Sequence, residues 1–218
     1  RPMGAHKRDH IRLVTQDPAV AARWTAAKGQ PPGEADVERM FAAAIPLQVA
    51  CLADHAEPIP GCLETIAACR ARGMKIGSST GYTTEMIEAL KIEAKKYGYE
   101  PDAAVCASDV PAGRPAPWMC LENAQRLGVY PLAAIVKVDD TTPGIEAGRH
   151  AGMWTVGIAK TGNEMGLPAA EFDALDAADA EARLALSQGL ERAGDYAAVR
   201  EECEASAQIL PGDADILF

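Results

Sequence analysis

Three residues near the start of the chain combine a spacing and a chemistry that could serve catalysis. Met3, Lys7 and His10 stand at i, i+4 and i+7, so on a helix they would share one face. A neutral lysine amine can condense with an aldehyde to a Schiff base, and a neighbouring histidine can transfer protons. Because a helical lysine is ordinarily a solvated surface residue, the spacing alone leaves both interpretations open.

A second set of polar residues follows three short apolar runs further along the chain. The set comprises residues 79–82 (Ser-Thr-Gly-Tyr), Arg114 in a loop after Asp109, and the pair Asp139 and Asp140. Hydroxyls, backbone amides and an arginine fork can bind phosphoryl oxygens, and carboxylates can hold Mg²⁺. Each motif alone could be only a turn, a solvated loop arginine or a helix cap. Their order at three successive strand ends favours a binding site.

The elements that must position these residues change character near residue 57. Residues 1–55 are predicted to be helical, and EPIPGC contains two prolines typical of a boundary. After Gly61, helices alternate with the apolar runs MKIGSST, AAVCASD, AIVKVDD and WTVGIA. This alternation predicts an open α/β sheet of parallel strands, whose carboxyl ends hold ligands. We therefore predict a helical domain over 1–57 and an α/β domain over 58–218, with Ala-rich helices after about residue 162.

Composition and charge restrict the possible partners. The formal charge of −10 argues against a nucleic-acid or anionic-membrane binder. No apolar run reaches the length of a membrane span, and no signal peptide is evident. The six cysteines form no CxxC pair, which indicates free thiols in a reducing compartment. We expect a cytoplasmic protein.

The order of the motifs resembles the haloacid dehalogenase superfamily and, more narrowly, the phosphonoacetaldehyde hydrolase (phosphonatase) family. The matching stretches are PMGAHKRDHIR, GMKIGSSTGYTTEM, DVPAGRPAPWMC and KVDDTTPGIEAGRHAGMWTVG, which lie within residues 1–165. Many phosphatases share the superfamily motifs alone. The combination of PMG-x-x-K-x-x-H with STGYT and VPAGRPAPWM is what resembles the narrower family.

The resemblance implies a fold and a reaction. The fold would be an α/β, Rossmann-like haloacid dehalogenase core with a parallel sheet, closed by an all-helical cap domain that is hinged at EPIPGC. The reaction would be hydrolysis of the C–P bond of phosphonoacetaldehyde through a lysine Schiff base, in 2-aminoethylphosphonate degradation. The family also implies a Mg²⁺ cofactor, a small phosphonate substrate, no nucleic-acid or membrane partner, and a homodimer formed through the cap.

The same resemblance implies a role for each site residue. Lys7 would form the Schiff base and His10 would transfer or orient protons. Met3, Gly4 and Tyr82 would shape the pocket beside them. The residues that would bind the phosphoryl group are Thr80, Gly81 and Arg114, and the Mg²⁺ ligand would be Asp140.

Two departures from the family pattern affect these expectations. The family's phosphoryl acceptor is an aspartate in D-x-A-G-T at the end of a central strand, and this sequence contains no such motif. We therefore expect a fragment that lacks this strand and its nucleophile, and that is inactive by itself. Many superfamily members carry an acid four residues after the metal-binding aspartate, where this chain has Gly144. Asp139 could compensate, or Glu146 after a helical shift.

Two other functions remain open at this stage. The first is a Mg²⁺-dependent phosphatase or phosphomutase of the same superfamily, in which Lys7 only contacts the substrate. The second is a truncated remnant that binds an anion or a partner without turnover. Comparing a C–P substrate with phosphate esters would separate the first from the phosphonatase hypothesis.

Overall fold

The computed structural model describes residues 6–162, together with 167, 168, 170, 171 and 174. Met3 and Gly4 lie outside the described residues, as do most positions of the helices predicted after residue 162. In the part of the chain that is described, no helix is long and apolar enough to cross a membrane.

The first part of the chain is helical, as predicted. It forms α1 (Lys7–Gln16), α2 (Pro18–Lys28) and α3 (Glu34–Cys51), followed by a 3₁₀ turn at Leu52–His55. Asp17 separates the first two helices because its carboxylate accepts N–H bonds from Ala19 and Val20 at the start of α2. Helix α1 packs on α3, and α3 and the 3₁₀ turn pack on α5 of the following α/β part.

His6 is the N-cap of α1, with a non-helical ψ of 138°, and its Nδ1 accepts the N–H of Arg8 at 3.3 Å. Lys7 and His10 lie on the first turn of α1. The predicted shared face of Lys7 and His10 with Met3 falls partly outside the described residues, because Met3 is not among them.

Helices and short strands alternate after residue 61. The elements are α4 (Cys62–Ala71), β1 (Gly77–Thr80), α5 (Thr84–Lys96), β2 (Ala103–Cys106), α6 (Trp118–Leu127), β3 (Val136–Asp139), α7 (Thr142–His150) and β4 (Trp154–Gly157). Gly73 follows α4 with a φ of 77°, the left-handed conformation that glycine favours after a helix end. Thr83 caps α5 by accepting the N–H of Met86.

The four strands are parallel but do not form one sheet. Strand β1 pairs with β2 and β3 pairs with β4, and no ladder joins the two pairs among the described strands. The two pairs are connected instead through helices: α6 packs on β1 and β2, α7 packs on β3 and β4, and α6 contacts α7. A core cluster lies between these helices, formed by Cys120, Ala124, Ala147, Ala151 and Met153. The parallel α/β arrangement predicted from the sequence is therefore present as two parallel pairs among the described residues.

Candidate active site

Arg114 lies at the carboxyl ends of two strands that belong to different sheets. Its Nη2 donates to the carbonyl oxygen of Ser79 at 2.7 Å and to the Ser79 hydroxyl at 3.1 Å. Its Nη1 lies 3.4 Å from Oδ2 of Asp139. The side chain is only 8% exposed, and its Nε is buried without a hydrogen-bond partner. An unsatisfied buried donor costs about 1–3 kcal/mol, so this nitrogen is suited to an acceptor oxygen of a ligand.

Asp139 is the anion around which this end of the site is built. Its Oδ1 accepts bonds from the N–H and the hydroxyl of Thr141, at 3.0 and 2.7 Å. Its Oδ2 lies 2.5 Å from Nζ of Lys137, which is itself largely buried. Burial alone would raise the pKa of Asp139, but the charges of Lys137 and Arg114 and the hydrogen bonds outweigh it and lower that pKa.

Lys137, Arg114 and Asp139 form a buried cluster of charges at these strand ends. Two cations face one carboxylate within the cluster, and the carboxylate of Asp140 follows next in the chain. The guanidinium of Arg114, held in a poorly solvated position, can bind a small anion. The sequence had placed Arg114 and the 79–82 segment here, whereas Lys137 was not predicted as a site residue. Its polar type in the middle of an apolar strand was the only available signal.

Thr80 and Gly81 form the turn that follows β1. The Thr80 hydroxyl accepts the N–H of Tyr82 at 3.2 Å, which fixes the chain as it leaves the strand. Both residues are half-buried next to Ser79. It is Ser79 whose side chain contacts Arg114, while Thr80 organises the backbone of the turn.

Lys7 reaches the α/β part from the first turn of α1. Its Nζ lies 5.9 Å from the centroid of the Tyr82 ring, within cation–π distance. Partial burial lowers the pKa of Lys7 and raises the pKa of Tyr82. Burial, followed by the positive charge of Lys7, also lowers the pKa of His10. These shifts favour the neutral forms of the amine and the imidazole, which are the forms that attack a carbonyl or accept a proton.

The start of α1, which carries Lys7, lies next to the loop that carries Arg114. A Cβ on Gly113 would lie 3.6 Å from the Cβ of His6, so the start of α1 contacts the loop that carries Arg114. Tyr82 follows the β1 turn, which belongs to the same strand end as Ser79. An amine of lowered pKa and a buried cationic site therefore lie on either side of this contact.

The described residues do not form a complete Mg²⁺ site. Asp140 is half-buried and could supply one carboxylate, but no group of three His, Cys, Asp or Glu side chains within the described ranges is placed to hold a metal ion. The neighbouring Asp139 faces Lys137 and Arg114 rather than an open position for a cation. Magnesium prefers near-octahedral oxygen ligands, which this donor set does not provide. A compensating metal role for Asp139 stays a prediction.

The family model for haloacid dehalogenase-like hydrolases matches residues 6–152. This match places the chain in that class of enzymes and confirms the α/β fold predicted from the strand and helix pattern. A crystal structure of a phosphonoacetaldehyde hydrolase like protein from Oleispira antarctica has a TM-score of 0.77 and is 39% identical, covering 87% of this chain and 68% of its own.

Curated relatives narrow the assignment. A phosphonoacetaldehyde hydrolase from Syntrophobacter fumaroxidans is 52% identical over 185 residues, which cover 85% of this chain and 67% of the relative. One from Nitratidesulfovibrio vulgaris is 50% identical over 173 residues, covering 79% and 61%. The chain belongs to the phosphonoacetaldehyde hydrolase family, and it spans about two thirds of the length of these relatives.

Proposed function

We propose that the protein cleaves the C–P bond of phosphonoacetaldehyde to give acetaldehyde and phosphate, with Lys7 as the Schiff-base residue. The observation that carries this proposal is the lowered pKa of the Lys7 amine, packed on Tyr82 next to the loop that holds Arg114. The substrate carries an aldehyde, which can react with the Lys7 amine, and a phosphonate, which can bind the Arg114 guanidinium. The two protein groups are neighbours in the fold, as are the two groups of the substrate. The relatives named above support the same substrate.

The reaction begins at the amine of Lys7. Neutral Nζ attacks the aldehyde carbon, and loss of water gives a protonated imine. The phosphoryl group passes to an acceptor carboxylate, which the family's D-x-A-G-T motif implies and this sequence does not contain, and water then releases it as phosphate. The electron pair of the broken C–P bond moves into the iminium and forms an enamine, so no free carbanion is expelled. Protonation of the enamine carbon and hydrolysis of the imine then release acetaldehyde and regenerate Lys7. His10, one turn along α1 and favoured in its neutral form, is proposed to transfer these protons.

The phosphonate is proposed to lie at the strand ends. Arg114 would use its unpartnered Nε, and the turn at Thr80 and Gly81 would supply backbone N–H donors to the remaining oxygens. We assign the phosphoryl acceptor to no residue of this chain. Asp140 would contribute one oxygen ligand to Mg²⁺, which in this family of reactions neutralises charge on the phosphoryl group.

We further propose a pocket role for Met3 and Gly4 and a cap domain over 1–57 on a core over 58–218. We also propose a homodimer through the cap, a cytoplasmic location and a place in 2-aminoethylphosphonate degradation.

Borohydride trapping tests the Schiff base directly. The purified chain is incubated with phosphonoacetaldehyde and sodium borohydride, and the reduced adduct is mapped by peptide mass spectrometry. We expect the adduct at Lys7, because imine formation requires no phosphoryl acceptor. Lys91 is an exposed helical lysine paired with Glu88 and serves as the internal control. A folded chain that is labelled equally at Lys91, or not at all, would overturn the assignment of Lys7.

Substrate preference separates this proposal from a phosphatase. The chain, joined to the part of the Syntrophobacter relative that it does not span, is offered phosphonoacetaldehyde and a set of phosphate esters. We expect phosphate release from the phosphonate. Faster release from the esters, unaffected by Lys7→Ala, would favour a phosphatase or phosphomutase instead.

His150 is predicted to steady the loop that carries Arg114. Its Nδ1 lies 2.8 Å from the carbonyl oxygen of Pro115, so this nitrogen donates the bond. His150→Ala should weaken inorganic phosphate binding by ~3–10-fold, as expected for loss of one neutral hydrogen bond. His150→Asn places an amide N–H near the Nδ1 position and should restore most of the affinity. Calorimetric titration of both variants, with the exposed neighbour Arg149→Ala as control, measures the effect; equal affinities for Ala and Asn would contradict it.

A further inference from the structure

Gly144, in the first turn of α7, lies directly against the side chain of Asp139. A Cβ on Gly144 would overlap the carboxyl carbon and both carboxylate oxygens of Asp139. Because this glycine is in regular helical backbone, space rather than a special conformation is what excludes a side chain. The carboxylate of Asp139 and any side chain at position 144 therefore occupy the same volume.

Asp139 cannot move aside without a large cost. Its carboxylate binds the backbone and hydroxyl of Thr141, the ammonium of Lys137 and the guanidinium of Arg114, and it is 5% exposed. Displacing it would leave two largely buried cations without their counter-charge. Four contacts with Thr141, Lys137 and Arg114 therefore hold the carboxylate of Asp139 in place. The absence of a Cβ at Gly144 leaves the space that it occupies.

The contact with Arg114 has a consequence for ligand binding. Ser79 and Asp139 together account for both terminal nitrogens of the guanidinium, and this leaves Nε as the donor without a partner. Because a guanidinium is planar, fixing its two terminal nitrogens also fixes the direction of the Nε–H bond.

We propose that Asp139 is a positioning residue that aims Arg114 at the phosphoryl group, and that Gly144 is required because the carboxylate enters from β3 rather than from α7. This inference rests on the proposed function for the identity of the anion. The steric pairing of positions 139 and 144 does not depend on it.

A double-mutant cycle on thermal stability tests the shared volume. We expect Gly144→Ala alone to lower Tm by roughly 3–10 °C, because the added methyl group overlaps a carboxylate that cannot move. In an Asp139→Gly background the same substitution should be neutral or stabilising, because alanine favours the helix. An equal effect of Gly144→Ala in both backgrounds would overturn the shared volume.

Inorganic phosphate titrated calorimetrically tests the positioning role. Asp139→Asn keeps the shape and should still weaken binding by roughly tenfold or more, because Arg114 loses its charged anchor. Glu146→Gln removes one charge from α7 outside this network and should change little. Wild-type affinity in Asp139→Asn would refute the positioning role.

The outcomes also separate this inference from the reaction itself. If the stability cycle shows coupling but borohydride labels no lysine selectively, the pairing of Asp139 with Gly144 stands and the Schiff-base function fails. If Lys7 is labelled but the two positions behave independently, the function stands and this inference fails.

Discussion

Replacing Lys7 with arginine is expected to abolish borohydride trapping and to reduce C–P cleavage by at least ~10³-fold, because the covalent route is lost. A guanidinium keeps the positive charge over Tyr82 but stays protonated and cannot condense with an aldehyde. The measurements are adduct formation by mass spectrometry and phosphate release under single-turnover conditions. Lys91→Arg, on the exposed face of α5, is the matched control and should behave as wild type.

Lys7→Met separates the chemistry from the fold. Burial lowers the pKa of Lys7, which means that the folded environment disfavours the ammonium form. Removing the charge while retaining an unbranched apolar chain should therefore leave Tm unchanged or slightly higher, yet abolish trapping. A normal yield of adduct in either variant would show that another lysine forms the imine.

The pH dependence of borohydride trapping should reveal the lowered pKa of the partly buried Lys7 amine. The neutral amine is the reactive form, so the rate of imine formation rises as the pH passes through the pKa of Lys7. Because burial lowers that pKa, the inflection should lie below 10.5, the usual value, while labelling of an exposed lysine should require more alkaline solution. Tyr82→Ala, which uncovers the amine, is expected to move the inflection towards higher pH. An inflection that is the same for Lys7 and the exposed lysines would contradict the role of burial.

Arg114→Ala should produce the second large effect, a loss of about 100-fold or more in affinity for inorganic phosphate. Charge-assisted hydrogen bonds contribute about 1.5–3 kcal/mol each, and removal of the guanidinium also leaves Asp139 with Lys137 as its remaining cationic partner. Arg114→Lys keeps the charge but not the planar fork, so it should recover only part of the loss. Calorimetric titration gives the affinities.

A comparison of two aldehydes makes this prediction specific. Acetaldehyde has no phosphonate, so its trapping at Lys7 should be unchanged in Arg114→Ala, whereas trapping of phosphonoacetaldehyde at low concentration should fall. Arg126 is the matched control, because its guanidinium also donates to a strand carbonyl, that of Ala104, but lies outside the site. Equal losses with both aldehydes would indicate a damaged fold instead of a lost anion contact.

Much of the fold and part of the site follow from local sequence. Apolar runs bounded by turn residues predicted the four strands, and the motif order predicted the enzyme class. These features depend on neighbours within a few residues, where helix capping and side-chain periodicity act. Lys7, Tyr82 and Arg114 could be named from motifs for the same reason, although their roles remain proposals.

Only the tertiary structure decided which of these residues meet. Arg114 bonds to Ser79, 35 residues away, and to Asp139, which the sequence had associated with a metal. Lys137 precedes Asp139 by two positions, so both side chains lie on the same face of β3. This spacing is visible in the sequence, but the residues that pack against that face are not. The strand order likewise separated into two pairs, because backbone pairing is decided by which edges come together and not by the pattern within each strand.

The sequence by itself thus determined the helices, the strands, the enzyme family and the residues able to react, since local backbone preferences and motif spacing are written in adjacent positions. The tertiary structure alone decided that the Lys7 amine lies on Tyr82, and that Asp139 fills the space left by Gly144. Those outcomes arise from packing between segments that are distant in sequence. There, side chains must fill the available space and buried charges must be paired.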